Sequence, residues 1–329
     1  MPRGVVVHTE PRRVAYEDVD LPALGPTDVL AETRYVGICG SDLSLLDGYL
    51  DEEMGIEYPL VFGHEWTGVV REVGRDVRAF RPGDRVLGAG DMGPGRWFGF
   101  CCNGAASDEF VVPSSLLYPL PEVFSFQQGA LIEPVACAYT AVEKSAGVNA
   151  GRVVAIVGAG TIGLCLLAVT QAMGATTVVV EPSDMRRALA SELGADHVID
   201  PRQAGDLLEA VRQTAGTPGA DLVVEASGAA RGLASALELA RAGGWVTYMG
   251  LCHQPDVEAP LRLIQAKDLL VRASTGAPIE WWEPALRFVT KHRMDLLPIV
   301  TATMRFSDCG DAFDAARDAD RHVKIHLQP

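Results

Sequence analysis

The run Arg152-Val153-Val154-Ala155-Ile156-Val157 leads directly into Gly158-Ala159-Gly160-Thr161-Ile162-Gly163, and a long apolar segment then reaches Met173. A β-branched run of buried-strand length, a G-x-G-x-x-G turn and a helix-length segment, in that order, leave few folds open. Gly158 permits the tight turn, Gly160 lets a phosphate approach the backbone, and Gly163 lets the helix lie close to the strand. The free amides of that helix N-terminus, at Thr161 and Ile162, then face an anion such as a dinucleotide pyrophosphate. A second strand, residues 176–180, runs into Glu181. A carboxylate at that strand end accepts hydrogen bonds from ribose hydroxyls and repels a 2′-phosphate, which favours NAD over NADP. Arg186 and Arg187 follow one helical turn later and are placed to take a 2′-phosphate instead, so the residues leave this choice open.

The alternation continues with helices expected at 185–193, 203–214 and 233–240 and strands at 197–199, 222–226, 245–249 and 269–273. Such alternation predicts an α/β fold with a doubly wound parallel sheet covered on both faces. The first half reads differently. Short β-branched runs at 5–9, 29–36, 66–73, 85–87 and 109–112 are separated by Gly- and Pro-rich turns, the pattern of a barrel or sandwich. After Pro278 a helix near 281–291 and a last strand at 323–327 are expected. A length of 329 residues suits two domains, each with its own core.

The formal net charge of −15 argues against nucleic acid or an anionic membrane as a partner. The most apolar stretch, 153–180, is interrupted by four glycines and polar residues, against a membrane span. The opening residues carry no apolar run of signal-peptide length. With seven scattered cysteines, an odd number, reduced thiols in a cytoplasmic setting are the expectation.

Three short motifs carry ligand chemistry. Cys39 lies in Gly37-Ile38-Cys39-Gly40-Ser41-Asp42, His64 and Glu65 follow Gly63, and Glu133 sits inside the apolar segment 130–136. One thiolate, one imidazole and one or two carboxylates make a tetrahedral zinc set with a position left for water or substrate. Each residue also has an ordinary use: Cys39 as a small buried hydrophobe, His64 and Glu65 as an exposed pair at a strand start. Glu133 is harder to place so, because a carboxylate in an apolar run is costly unless paired, protonated or ligating.

Together these residues resemble the zinc-dependent medium-chain dehydrogenases, the superfamily of alcohol, sorbitol and threonine dehydrogenases. The resemblance rests on 37–42, on Gly63-His64-Glu65, on Glu72-Val73-Gly74 with Pro82-Gly83-Asp84-Arg85-Val86, on Glu133-Pro134, on 158–163 and on Glu225-Ala226-Ser227-Gly228. It implies a GroES-like β-barrel catalytic domain over 1–147, a Rossmann domain over 148–278, a return to the catalytic domain over 279–329, and an active site in the cleft. It further implies Cys39 and His64 as zinc ligands, Glu65 as a ligand or one that swings in and out, and Glu133 near the metal as in polyol dehydrogenases. Ser41 would bond the alcohol oxygen and start a proton relay, with Asp42 ordering the site. Ser44 stands where many members carry the histidine that ends the relay, so proton release would pass through Ser44 and water. Ser227, Gly250 and Leu251 would hold the nicotinamide side through their backbone. Trp281 and Trp282 would cap the pocket or pack a helix.

The four clustered cysteines of the family's structural zinc have no counterpart in 87–107, where Cys101 and Cys102 are adjacent; one catalytic zinc is expected. The implied reaction is NAD-dependent oxidation of a secondary alcohol on a small polyhydroxylated substrate by a homodimer or homotetramer. Residues 39–45 and 63–66 are also similar to the aminocyclitol dehydrogenases that oxidise 2-deoxy-scyllo-inosamine in antibiotic biosynthesis. The alternatives are a metal-independent quinone or enoyl reductase on the same scaffold, a catalytically silent NAD-binding regulatory protein, and a scaffold unrelated to nucleotides.

Overall fold

The computed structural model describes residues 1–145, 147–254 and 256–329. The chain divides into two compact units: Met1–Glu133 with Ala277–Asp318 and Lys324–Pro329, and Pro134–Gly276 with Ala319–Val323. These limits lie at 133/134 and 276/277, against the 147/148 and 278/279 expected from composition and resemblance. They also give five residues of the tail to the second unit.

The first unit opens with strands β1 (Arg3–Thr9), β2 (Arg12–Asp18), β3 (Asp28–Ile38), β4 (Leu60–Val61), β5 (Glu65–Val73), β6 (Arg85–Gly88), β7 (Glu109–Pro113) and β8 (Leu117–Pro119). Helices α1 (Gly40–Asp47) and α2 (Asp51–Met54) interrupt them, α3 (Phe126–Gly129) follows β8, and α4 (Ile132–Glu143) leads into the second unit. That unit alternates β9 (Val153–Val157), α5 (Thr161–Ala172), β10 (Thr176–Val180), α6 (Asp184–Glu192), β11 (His197–Ile199), α7 (Leu207–Ala215), β12 (Ala220–Glu225), α8 (Gly232–Leu239), β13 (Ala240–Tyr248), α9 (Arg262–Ala266) and β14 (Leu270–Ala273). The chain then returns through α10 (Trp282–His292), β15 (Val300–Arg305), α11 (Cys309–Arg317) and β16 (Lys324–Gln328).

In the second unit the six strands pair in parallel in the order β11-β10-β9-β12-β13-β14. This is the doubly wound order in which the chain switches direction beside its first strand, here β9, so that a crevice opens at the strand C-termini. Val154, Ala155 and Ile156 are fully buried, as a strand covered on both faces requires.

In the first unit, one sheet runs β15-β16-β3-β5-β6-β8 with β7 also on β3, and a small sheet runs β2-β1-β4. Trp66, Phe98 and Phe110 form the aromatic centre, with Trp66 edge-on to Phe110 at 4.7 Å between ring centroids. Gly88 is needed there, because a Cβ would lie 2.2 Å from Trp66 Cζ2. Strands β2, β4, β8 and β15 and helix α11 carry no strong local signal and depend on the sheet for their shape. Trp282 settles the two uses open for it. It is 1% exposed, donates its Nε1–H to Ala277 O at 3.0 Å and stacks on Tyr118 at 5.5 Å, so it packs a helix. Among the described residues no helix is long and apolar enough to cross a membrane.

Candidate metal centre and dinucleotide site

Strand β3 ends at Ile38 and hands the chain to Cys39, which precedes the first turn of α1 with an extended backbone. The N-terminus of that helix is closed from within: Asp42 Oδ2 accepts the Cys39 N–H at 2.8 Å. Residue His64 immediately precedes β5, and Glu65 is its first residue. Because β3 and β5 are antiparallel with Gly37 opposite Glu65, the end of one strand and the start of the next bring Cys39, His64 and Glu65 together. One ligand atom from each lies within 4.8 Å of the others. Glu133, at the start of α4, is buried but is not a member of this group.

Behind His64 stands Asp42, fully buried, with Oδ1 at 3.4 Å from Nδ1. Among the described residues neither of these two atoms has another hydrogen-bond partner. Burial by itself lowers the pKa of the His64 ring, but Asp42 and Cys39 outweigh it and hold it well above its ordinary 6.5. The ring has a carboxylate at Nδ1 and the Cys39 thiol near it, and Phe100 lies against it at 4.9 Å between centroids. A soft thiol, an imidazole backed by a carboxylate, and a further carboxylate fit a zinc ion better than a hard cation. An Asp42→Asn variant should hold zinc about 10- to 100-fold more weakly, read by competition with a chelator.

Ser41 is half-buried in the first turn of α1, while Ser44 is buried and donates its hydroxyl to Gly40 O at 3.0 Å. Two residues that sequence reasoning missed complete the surroundings. Lys324, 1% exposed, donates to Glu65 Oε1 at 2.9 Å, to Oε2 at 2.6 Å and to Ile38 O at 2.9 Å. His326, two residues along the same strand, is fully buried. Their signal is a lysine and a histidine in a terminal strand that otherwise reads as core.

At the head of α5, Gly158 adopts φ +100°, and a Cβ there would lie 2.9 Å from Ser227. A Cβ on Gly163 would meet Gly158 O at 1.9 Å, so helix and turn touch only because both residues are glycine. Glu181 is buried and its carboxylate braces the loop, accepting from Ala159 N at 2.7 Å and Ser183 N at 2.8 Å. Arg186 donates to His322 O at 3.0 Å, and its Nη1 is the nearest atom, at 3.8 Å, to a Cβ built on Gly160. Thr161 donates its hydroxyl to Val323 O at 3.1 Å, and Ile162 follows it in the first turn of α5. Arg187 is instead spent on the carbonyls of Glu181 and Pro182 and on Asp184.

At the ends of β12 and β13, Glu225 joins the loops that hold Ser227, Gly250 and Leu251. Its Oε1 accepts from Ser227 N at 2.8 Å, and its carbonyl accepts from Gly250 N at 3.1 Å. Leu251 is 49% exposed at this rim.

Residues 25–122 match the model of the alcohol dehydrogenase GroES-like domain, and residues 161–291 match that of the zinc-binding dehydrogenases. The D-xylulose reductase A of Aspergillus niger is 30% identical over 93% of this chain and 91% of its own. The chain is a zinc-dependent medium-chain dehydrogenase. The L-idonate 5-dehydrogenase of Vitis vinifera is 31% identical over 93% of this dehydrogenase and 89% of its own chain. Among solved structures, the 2R,3R-butanediol dehydrogenase of Bacillus subtilis superposes with a TM-score of 0.89 at 28% identity, covering all of both chains. A dehydrogenase from Sinorhizobium meliloti bound to NADP gives 0.91 at 29% identity, over 100% of this chain and 99% of that one. Mixed α/β architecture with a GroES-like unit and a parallel dinucleotide-binding sheet is therefore the fold of this dehydrogenase.

Proposed function

We propose that this dehydrogenase oxidises a secondary alcohol on a small polyhydroxylated substrate with NAD, using one zinc ion held by Cys39 and His64. The observation that carries this reading is the Cys39, His64 and Glu65 group with buried Asp42 behind the imidazole. Its relatives' names point to the substrate class, being those of sugar and polyol oxidoreductases. When bound, zinc supplies Lewis-acid polarisation of the hydroxyl, and the nicotinamide supplies the hydride acceptor.

The chain's own residues do the rest. Cys39 and His64 fix the metal position from the ends of paired strands, and Asp42 orients the His64 ring through Nδ1. Ser41 accepts the substrate hydroxyl proton as it gives up its own, which passes to water directly or through Ser44, whose hydrogen leaves Gly40 O as it receives one. Glu65 and Glu133 supply carboxylates for the metal or for substrate hydroxyls. The turn from Gly158 to Gly163 and the amides of α5 hold the pyrophosphate, and the backbone around Ser227, Gly250 and Leu251 holds the nicotinamide.

Glu181 favours NAD. Both its oxygens already accept from the loop, which fixes a negative charge where a 2′-phosphate would sit. Within the substrate class, an aminocyclitol such as 2-deoxy-scyllo-inosamine is one member to test, on the similarity of 39–45 and 63–66.

The test is metal content per chain on protein purified without chelator, followed by NAD and NADP reduction on a panel of polyols, sugars and aminocyclitols. About one zinc, activity lost on chelation and restored by zinc, and faster turnover with NAD are the expected results. A folded, dinucleotide-binding protein with no zinc would move the metal-independent reductase into first place.

The same reading places two chains edge to edge. β14 is the terminal strand of the parallel sheet, and Leu270 and Val271 on it are 52% and 40% exposed. An exposed apolar edge strand is a template for pairing with a second chain. Light scattering should therefore report a dimer or a multiple of it, and Val271→Lys should shift it towards the monomer.

A further inference from the structure

Lys324 and Glu65 are each 1% exposed, and the ammonium spends all three of its protons on Glu65 Oε1, Glu65 Oε2 and Ile38 O. Glu65 already has an atom within 4.8 Å of ligand atoms of Cys39 and His64, but both its oxygens accept from Lys324, and an oxygen that turns fully onto a metal ion gives up that contact. That move would leave a buried ammonium short of an acceptor, and a buried charge without partners is strongly disfavoured. The fold provides for it one residue pair away.

His326 lies opposite Gly37 on β3, and Gly37 in turn lies opposite Glu65 on β5. Three neighbouring strands thus place His326, a residue without a side chain, and Glu65 in one row. The Glu65 carboxylate leans over the gap, since a Cβ on Gly37 would lie 2.2 Å from Oε2. Lys324 and His326, two residues apart on β16, share that face. The His326 ring is fully buried, and neither nitrogen has a hydrogen-bond partner among the described residues. Burial, with the charge of Lys324 nearby, pushes its pKa down to about 3. A ring that stays neutral keeps one nitrogen as an acceptor.

We propose that Lys324 and His326 form a two-position holder for Glu65. In one position the ammonium keeps Glu65 over Gly37; in the other Glu65 turns to the metal while the ammonium retains Ile38 O and takes the free nitrogen of His326. His326 is a positioning residue in this scheme and touches neither metal nor substrate. The inference rests on the metal site proposed above.

The test is zinc affinity, by competition with a chromophoric chelator, for the wild-type protein, His326→Leu, His326→Gln, Lys324→Met and the Lys324→Met/His326→Leu double variant. His326→Leu removes the second acceptor and should weaken zinc by about tenfold or more, the effect of one unmade hydrogen bond to a buried charge. His326→Gln, whose amide oxygen accepts, should restore most of the affinity. Lys324→Met frees Glu65 and should tighten zinc, and in that background His326→Leu should have no effect. An equal loss in both backgrounds would make His326 a packing residue and overturn the proposal, as would wild-type affinity in His326→Leu.

Should Lys324→Met not fold, the ring ¹⁵N shifts of His326 in the wild-type protein decide the matter. One nitrogen should move on zinc loading, and an unchanged ring would overturn the scheme. A wild-type protein that takes up no zinc at Cys39 and His64 would instead remove the metal site itself, a failure distinct from any of these.

Discussion

Cys39→Ala should abolish turnover, lowering it by at least about a thousandfold, while dinucleotide binding persists. The two effects separate because they arise in different parts of the chain. Cys39 sits at the junction of β3 and α1, beside His64 and Glu65, and removing its sulfur leaves an imidazole and carboxylates that hold zinc poorly. The glycine turn proposed for the pyrophosphate, and Glu181 beside it, lie in the unit of the parallel sheet and keep their own contacts. Single-turnover assays with NAD, together with fluorescence titration of the cofactor, check both halves. Retention of turnover by Cys39→Ala would refute the zinc mechanism outright. Loss of cofactor binding along with turnover would mean that the substitution had damaged the fold.

Trp282→Ala should destabilise the protein by about 3–5 kcal/mol, the range for truncating a large buried aromatic side chain. Three things are lost at once: the buried ring, its stack on Tyr118 and the hydrogen bond to Ala277 O, which becomes a buried acceptor without its donor. Trp282→Phe keeps most of the apolar area and should cost less, chiefly through that carbonyl. Denaturant midpoints for the two variants give the order. The same pair discriminates the two uses the sequence left open. A residue that packs α10 lowers stability and leaves KM unchanged at low temperature, whereas a pocket cap would raise KM with stability intact.

The turn proposed to hold the dinucleotide was legible because every part of it is local. A strand, a turn and a helix stand next to each other in sequence, and the demand for glycine is set by geometry within a few residues: φ +100° at Gly158 and the contact of Gly163 with Gly158 O. Most helices and strands from 153 to 273 follow from hydrophobic periodicity, with ends within a few residues of expectation; β13 starts five residues before the expected 245, and the short helix α9 was not expected. The strands missed in the first unit, among them β2, β8 and β15, are short or partly exposed, and they owe their shape to a neighbouring strand that no local pattern announces.

For the metal centre, sequence supplied the residue types and the motifs, and tertiary structure supplied the pairings. Asp42 backs His64 because the first turn of α1 meets the start of β5, and nothing in the spacing of 42 and 64 states this. Lys324 reaches Glu65 across 259 residues because β16 pairs with β3 in one register, which also sets His326 opposite Gly37. A shift of that register by one residue would turn Lys324 and His326 to the other face of the sheet. Local stereochemistry and periodicity therefore wrote the cofactor-binding sheet into the sequence. Long-range strand pairing, which depends on the whole core, alone decided which buried charges meet.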